Sequence, residues 1–193
     1  KKLRTFTNDE CQFKYRDSLF KSNPGQFVIL EVQFNLRRGE MTTPIQYEEL
    51  ARELGIAVGD KADVVKTREA VLKIRARKGM LLDDKDPDTF SAGSFFTNPI
   101  VAESQIPNGA PKYPQGDGTF KTSAAWLIEN SGINKGQRLN GAGISNKHVL
   151  AITNADKAKA ADIAALAMQV RDKVRLQFGI ELKPEVILVG LSL

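Results

Sequence analysis

Four side chains in this sequence stand where they could do chemistry: Arg16, Ser94, Glu185 and His148. Arg16 lies in Tyr15-Arg16-Asp17-Ser18. It reads either as a surface residue or as a guanidinium whose planar fork grips both oxygens of a carboxylate. Ser94 lies in Ser91-Ala92-Gly93-Ser94-Phe95-Phe96-Thr97-Asn98-Pro99. Small residues there let backbone approach a ligand, and two phenylalanines anchor the segment. By spacing alone, a tight turn into a buried strand is the simpler reading. The other is a hydroxyl that donates a proton, and a serine does so only to a strongly basic partner such as a carbanion or enolate. Glu185, in Lys183-Pro184-Glu185-Val186, is a strand-edge carboxylate or an acid that stabilises developing charge beside an arginine. His148 is the sole histidine and Cys11 the sole cysteine, so no zinc pattern exists. His148 is then a satisfied strand residue or a hydrogen-bonding contact to a ligand. The chain has no Ser-His-Asp signature, no P-loop and no Gly-x-Gly-x-x-Gly. Residue types alone do not choose among these readings.

The elements that must position these residues follow from periodicity. Val28, Leu30, Val32, Phe34 and Leu36 alternate with polar residues, which predicts a half-buried strand over Phe27–Leu36. Arg37-Arg38-Gly39-Glu40 breaks that pattern and marks a domain boundary. Thr43-Pro44-Ile45-Gln46 has capping-box spacing and predicts a short helix carrying Leu50, Ala51 and Leu54, closed by Gly55. A second helix is expected from about Thr67 to Lys78, capped by Gly79, and a third from Ser123 to Ser131, closed by Gly132. The longest should run from Lys159 to Phe178, where Ile163, Ala167, Val170, Val174 and Phe178 recur at helical spacing. Strands are expected at His148–Thr153 and Glu185–Val189, and Pro99–Thr122, rich in Pro, Gly and Asn, reads as loop. Helices and strands mix without regular alternation, which predicts an α+β fold.

Composition narrows the class. With 41% hydrophobic and 26% charged residues, the 193-residue chain has the balance of a globular protein able to bury a core without disulfides. One cysteine excludes an internal disulfide and fits a reducing compartment. No apolar run reaches the roughly 20 residues of a membrane helix, and the first residues carry no signal stretch. The expectation is a cytoplasmic protein without a membrane partner, whose sequence, opening on Lys1 rather than methionine, begins inside a longer one. The net charge of +5 calls for an anionic partner or a solvated basic face. Its Lys and Arg are dispersed without interleaved aromatics, which weakens the reading as a nucleic-acid binder, and a small anion such as a nucleotide diphosphate explains the surplus equally well.

Taken in order, the segments resemble the MurB family, the UDP-N-acetylenolpyruvoylglucosamine reductases. Glu10-Cys11-Gln12-Phe13-Lys14-Tyr15-Arg16-Asp17-Ser18-Leu19-Phe20-Lys21 is similar to the motif that ends the family's flavin-binding core. Gly93-Ser94-Phe95-Phe96-Thr97-Asn98-Pro99 resembles the family's serine motif and is the most specific match. Ser123-Ala124-Ala125-Trp126-Leu127-Ile128-Glu129 with Gly141-Ala142-Gly143-Ile144-Ser145 resembles the next block. Leu182-Lys183-Pro184-Glu185-Val186 resembles the terminal glutamate motif.

The resemblance implies an α+β substrate-binding domain with remnants of a preceding FAD-binding domain. Residues 1–38 would end the FAD-binding domain, 39–182 would bind substrate, and 183–193 would return as a strand. It implies NADPH-dependent, FAD-mediated reduction of UDP-N-acetylglucosamine enolpyruvate to UDP-N-acetylmuramate, by a monomer in the cytoplasm. Arg16 and Glu185 would stabilise the substrate carbanion and Ser94 would deliver the proton, which suits donors fixed where charge develops. Tyr47 resembles the tyrosine that closes over the UDP in the longer subtype. Lys78, Asn98, Lys135 and His148 resemble the other substrate contacts, and some members carry glutamine at the last. The glycine-rich phosphate loop that holds most of the FAD is absent from this sequence, so the competing reading is a UDP-sugar-binding module without catalysis.

Overall fold

The computed structural model describes residues 2–193; Lys1, first residue of the expected 1–38 segment, lies outside them. The chain divides into two compact units, Lys1–Gly39 and Glu40–Leu193, and each is described by itself.

The first unit holds two one-turn helices, α1 (Asn8–Cys11) and α2 (Leu19–Ser22). Thr7 and Glu10 close a capping box on α1, so even this short turn has its end donors satisfied. Phe6, Phe20 and Phe27 meet edge to face at 5.2 to 5.5 Å, the geometry that ring quadrupoles prefer. The strand expected over Phe27–Leu36 does not form: these residues lack regular structure, and Val28, Leu30, Val32, Phe34 and Leu36 are exposed. A strand's backbone groups are satisfied only by a neighbouring strand, and none pairs with this segment among the described residues.

The second unit begins with α3 (Glu48–Leu54) and α4 (Val64–Arg77), which pack on one another. Thr43-Pro44 does not open a helix, because Ile45 is buried and pairs its backbone with Gly59 and Asp60, holding the segment extended. The start moves to Tyr47, and Gly55 ends α3 in the left-handed conformation, as expected. For α4 the N-cap is Asp63, whose Oδ1 accepts the Val65 and Lys66 amides at 2.9 Å.

A four-stranded antiparallel sheet follows, built from β1 (Ser91–Ser94), β5 (Arg138–Leu139), β6 (Ala142–Ile144) and β7 (Ala151–Thr153) in the order β1-β7-β6-β5. Pro99–Thr122 is not merely loop. It holds a second sheet, β2 (Ile100–Ala102), β3 (Tyr113–Pro114) and β4 (Thr119–Lys121), in the order β2-β4-β3. The prolines and glycines that signal loop lie mostly in its turns, and the strands are only two or three residues long. The helices α5 (Ala124–Glu129) and α6 (Ala160–Phe178) complete the unit. Leu127, Ile128, Ile144, Leu166, Val170 and Val174 are fully buried where α5 and α6 meet the first sheet. The 148–153 strand shortens to β7, because His148–Leu150 form the turn that enters it. No strand forms over Glu185–Val189 among the described residues, and Ile187 and Val189 are 88% and 87% exposed. The architecture is α+β, as the mixed pattern predicts. No helix among the described residues is long and apolar enough to cross a membrane.

Candidate functional site

Ser94 ends β1, and its direction is set by a defect in the strand. Ser91 pairs with Thr153 but Ser94 with Ala151, a register slip between the two positions. Gly93 supplies it, with φ of +81°, a conformation that glycine reaches at little steric cost. Such bulges re-aim a side chain. Nothing lies within 4 Å of where a Cβ would stand on Gly93, so the approach beside Ser94 is open. Immediately after, Phe95 and Phe96 are buried with ring centroids 5.0 Å apart, and the Phe95 amide donates to the Leu150 carbonyl at 2.8 Å. The serine therefore sits on a rigid ledge with one face open.

The turn between β6 and β7 brings His148 to that ledge. Ser145, fully buried, accepts the Lys147 and His148 amides on its hydroxyl at 3.0 and 3.3 Å. Buried Asp88 accepts the Asn146 amide at 2.8 Å. So held, His148 places Nε2 at 3.2 Å from Ser94 Oγ. Burial pushes the imidazole below its ordinary titration range, and the charges of Lys78 and Lys135 push it further, against a smaller opposing pull from Glu129. Lys78 caps α4 and pairs with Glu49; Lys135 pairs with Glu129 at 3.7 Å.

The remaining candidates fall into two groups. Glu185, half-buried, donates its amide to the Phe95 carbonyl at 2.8 Å, one rung from Ser94, while Phe96 and Pro184 form a single antiparallel bridge. Asn98 turns its Oδ1 onto the Ala124 amide at 2.9 Å and so caps α5. Tyr47 is 78% exposed at the start of α3. Arg16 belongs to the first unit, in a tight turn where Lys14 and Asp17 pair backbone to backbone. Its φ of 56° is uncommon for a non-glycine residue.

The second unit thus gathers Ser94, His148, Lys78 and Lys135 electrostatically, with the Glu185 backbone alongside. The half-buried hydroxyl–imidazole pair can move a proton, and the two ammonium groups whose fields reach it are each paired with a carboxylate. Sequence reasoning missed Ser145, Asp88, Glu49 and Glu129, the partners that hold the turn and the lysines. Ser145 and Glu129 lay inside quoted motifs, and a serine shortly before a histidine signals a side-chain turn.

The family described as "UDP-N-acetylenolpyruvoylglucosamine reductase, C-terminal domain" matches residues 86–189. Relatives that carry the name UDP-N-acetylenolpyruvoylglucosamine reductase include three from different bacteria. That of Cutibacterium acnes is 48% identical over 193 residues, covering 98% of this chain and 51% of the relative. That of Thermobifida fusca is 45% identical and covers 100% and 57%, and that of Streptomyces avermitilis is 46% identical and covers 98% and 56%. The chain spans little more than half the length of these relatives.

Proposed function

We propose, because the chain belongs to the UDP-N-acetylenolpyruvoylglucosamine reductase C-terminal-domain family, that it is the C-terminal portion of such a reductase and carries its substrate site. Residues 39–182 bind UDP-N-acetylglucosamine enolpyruvate, and residues 1–38 and 183–193 belong to the flavin-binding part. The reduction yields UDP-N-acetylmuramate for peptidoglycan in the cytoplasm.

The observation that carries this reading is the placement of Ser94, aimed by the Gly93 bulge, beside His148 and within reach of the fields of Lys78 and Lys135. The lysines attract the anionic substrate. Ser94 gives its hydroxyl proton to the substrate carbon, a transfer that is reasonable only because a carbanion is strongly basic. Arg16 pairs with the substrate carboxylate, into which the negative charge spreads, and Glu185 as the acid donates a hydrogen bond to that charge. Tyr47 closes over the UDP, and Asn98, whose Oδ1 accepts the Ala124 amide, contacts the substrate. FAD, reduced by NADPH, supplies the hydride when bound.

The residues of this chain do not by themselves fit FAD. Leu30, Phe34, Ile187 and Val189 stand in water instead of closing around a flavin ring. Most of the cofactor's seat therefore belongs to the part of the relatives that this chain does not cover. The same exposure favours the second reading, a module that binds UDP-sugar without turnover.

The full-length protein carrying this chain is expected to be yellow. It should release flavin on denaturation, and oxidise NADPH only when the enolpyruvyl substrate is added. A colourless full-length protein without NADPH oxidation, yet binding UDP-N-acetylglucosamine in calorimetry, would replace the reductase reading with the binding module.

A further inference from the structure

We propose that His148 is the positioning residue of Ser94 and the source of its replacement proton. The inference rests on the reading of Ser94 as proton donor. A Ser94 hydroxyl that has given up its proton is left as an alkoxide, among the strongest bases a side chain can form. A donor must stand at the oxygen when the proton leaves. His148 Nε2, at 3.2 Å, is in place to be that donor.

The step balances as follows. The Ser94 O–H bond breaks, and its proton forms the new C–H bond with the carbanion's electron pair. The Nε2–H bond of the His148 imidazolium breaks, and its proton forms a new O–H bond on Ser94. A carbanion and an imidazolium become a neutral carbon centre and a neutral imidazole, with serine restored. The half-exposed ring then takes a proton from water.

The surroundings fit an acid better than a passive filler. From α4, Lys78 faces the ring; from the loop after α5, Lys135; from the end of α5, Glu129; and the Glu185 backbone runs one rung from Ser94. The two ammonium groups outweigh the one carboxylate and weaken the ring's hold on its proton, which sharpens it as a donor. Its place is fixed at both ends of the residue: the His148 amide donates to Ser145 Oγ at 3.3 Å, and its carbonyl accepts the Ala151 amide at 2.9 Å. A ring that only filled space would need neither Nε2 turned to the hydroxyl nor such anchoring.

Two measurements test this. His148 is the only histidine, so one imidazole resonance in the NMR spectrum of the 193-residue chain reports its titration. If the imidazolium donates to Ser94 Oγ, Ser94→Ala removes an acceptor of the charged form and lowers the midpoint. An unchanged midpoint, or a raised one, overturns the proposal, since the hydroxyl then ignores the ring or donates to it. The second measurement uses the full-length protein in stopped flow, following substrate-driven reoxidation across pH. The parent should slow as pH rises through the His148 midpoint. His148→Gln keeps an N–H donor but has no proton to give, so it should lose that pH dependence and run roughly tenfold slower, less than the loss of the general acid itself. A His148→Gln protein with the parent's pH profile overturns the proposal. If parent and variant alike show no reduction, the reductase reading has failed, and with it the replacement-proton role. The NMR titration then decides only whether the pair exists.

Discussion

Two regions of this chain carry equally clear apolar periodicity, and only one of them turns it into burial. In α6, Leu166, Ala167, Val170 and Val174 recur at helical spacing and are buried against the first sheet. Over Val28–Leu36 the alternation is as regular, and the side chains stand in water. A helix closes its own backbone hydrogen bonds and needs a partner only for its apolar face. A strand needs a partner for both. Periodicity therefore states what a segment can bury, and the presence of a neighbour decides whether it does.

The largest effect expected of any substitution breaks this comparison if it fails. Leu166→Ala should cost about 2–5 kcal/mol, the range for emptying a packed core position. Val32→Ser, in the exposed row, should stay within about 0.5 kcal/mol in the same urea titration. Comparable losses at the two sites would show that the 28–36 segment is packed in solution. In the full-length protein Val32→Ser should become costly, because the flavin-binding part would then cover the row.

The site offers the next contrast, between a residue that shapes a turn and one that does chemistry. Ser94→Ala in the full-length protein should leave NADPH-driven flavin reduction unchanged. It should slow reoxidation by substrate roughly a hundredfold or more, equivalent to about 2.7 kcal/mol of barrier. Ser94→Cys should retain more activity, since a thiol also donates a proton. Unaltered reoxidation in Ser94→Ala would make the serine structural, with Gly93 alone responsible for the bulge.

That contrast is partly legible in the sequence. The serine motif and the glutamate motif are readable as ordered matches, and α4 to α6 fall within about three residues of their expected bounds because end signals such as the N-cap Ser123 and the left-handed Gly79 just after α4 are local. What was not visible depends on partners distant in sequence. The β2-β4-β3 sheet is hidden behind turn residues, since strands of two or three residues carry no period. The Thr43 capping box lost to the buried Ile45, whose amide is held by the Asp60 carbonyl. The pairing of Ser94 with His148, 54 residues apart, needed the β1–β7 register before either residue could be assigned a neighbour.

Tyr47 and Lys78 sharpen the same comparison at the substrate's edge. Tyr47 is exposed at one end of α3, and Lys78 at the end of α4 is tied to that helix through Glu49. A tyrosine that closes over the ligand contributes about one net hydrogen bond, so Tyr47→Phe should weaken UDP-N-acetylglucosamine binding by about 1 kcal/mol in calorimetry. Equal affinity in parent and variant would leave Tyr47 outside the site.

The smallest effect concerns the pH dependence of stability, and its sign follows from His148. In the folded chain the ring titrates below its ordinary value of 6.5, mainly because it is partly buried. Above that value both folded and unfolded chains hold it neutral, and it contributes nothing to the pH dependence. As pH falls below 6.5 the unfolded chain takes up the proton first, so stability declines until the folded ring also titrates. The carboxylates whose titration is lowered, Glu10, Glu53, Asp86 and Asp117, start from 4.5 or 3.8 and lose their contribution at still lower pH. A window between about pH 5 and 7 therefore belongs to the histidine. His148→Gln cannot titrate, so the stability of the parent relative to this variant should fall between pH 7.5 and pH 5.5. Solvent screening of the half-exposed ring keeps the change small. A relative stability that stays flat across the window would mean that the ring is solvated like a free imidazole, and the turn held by Ser145 would then be looser than its hydrogen bonds indicate.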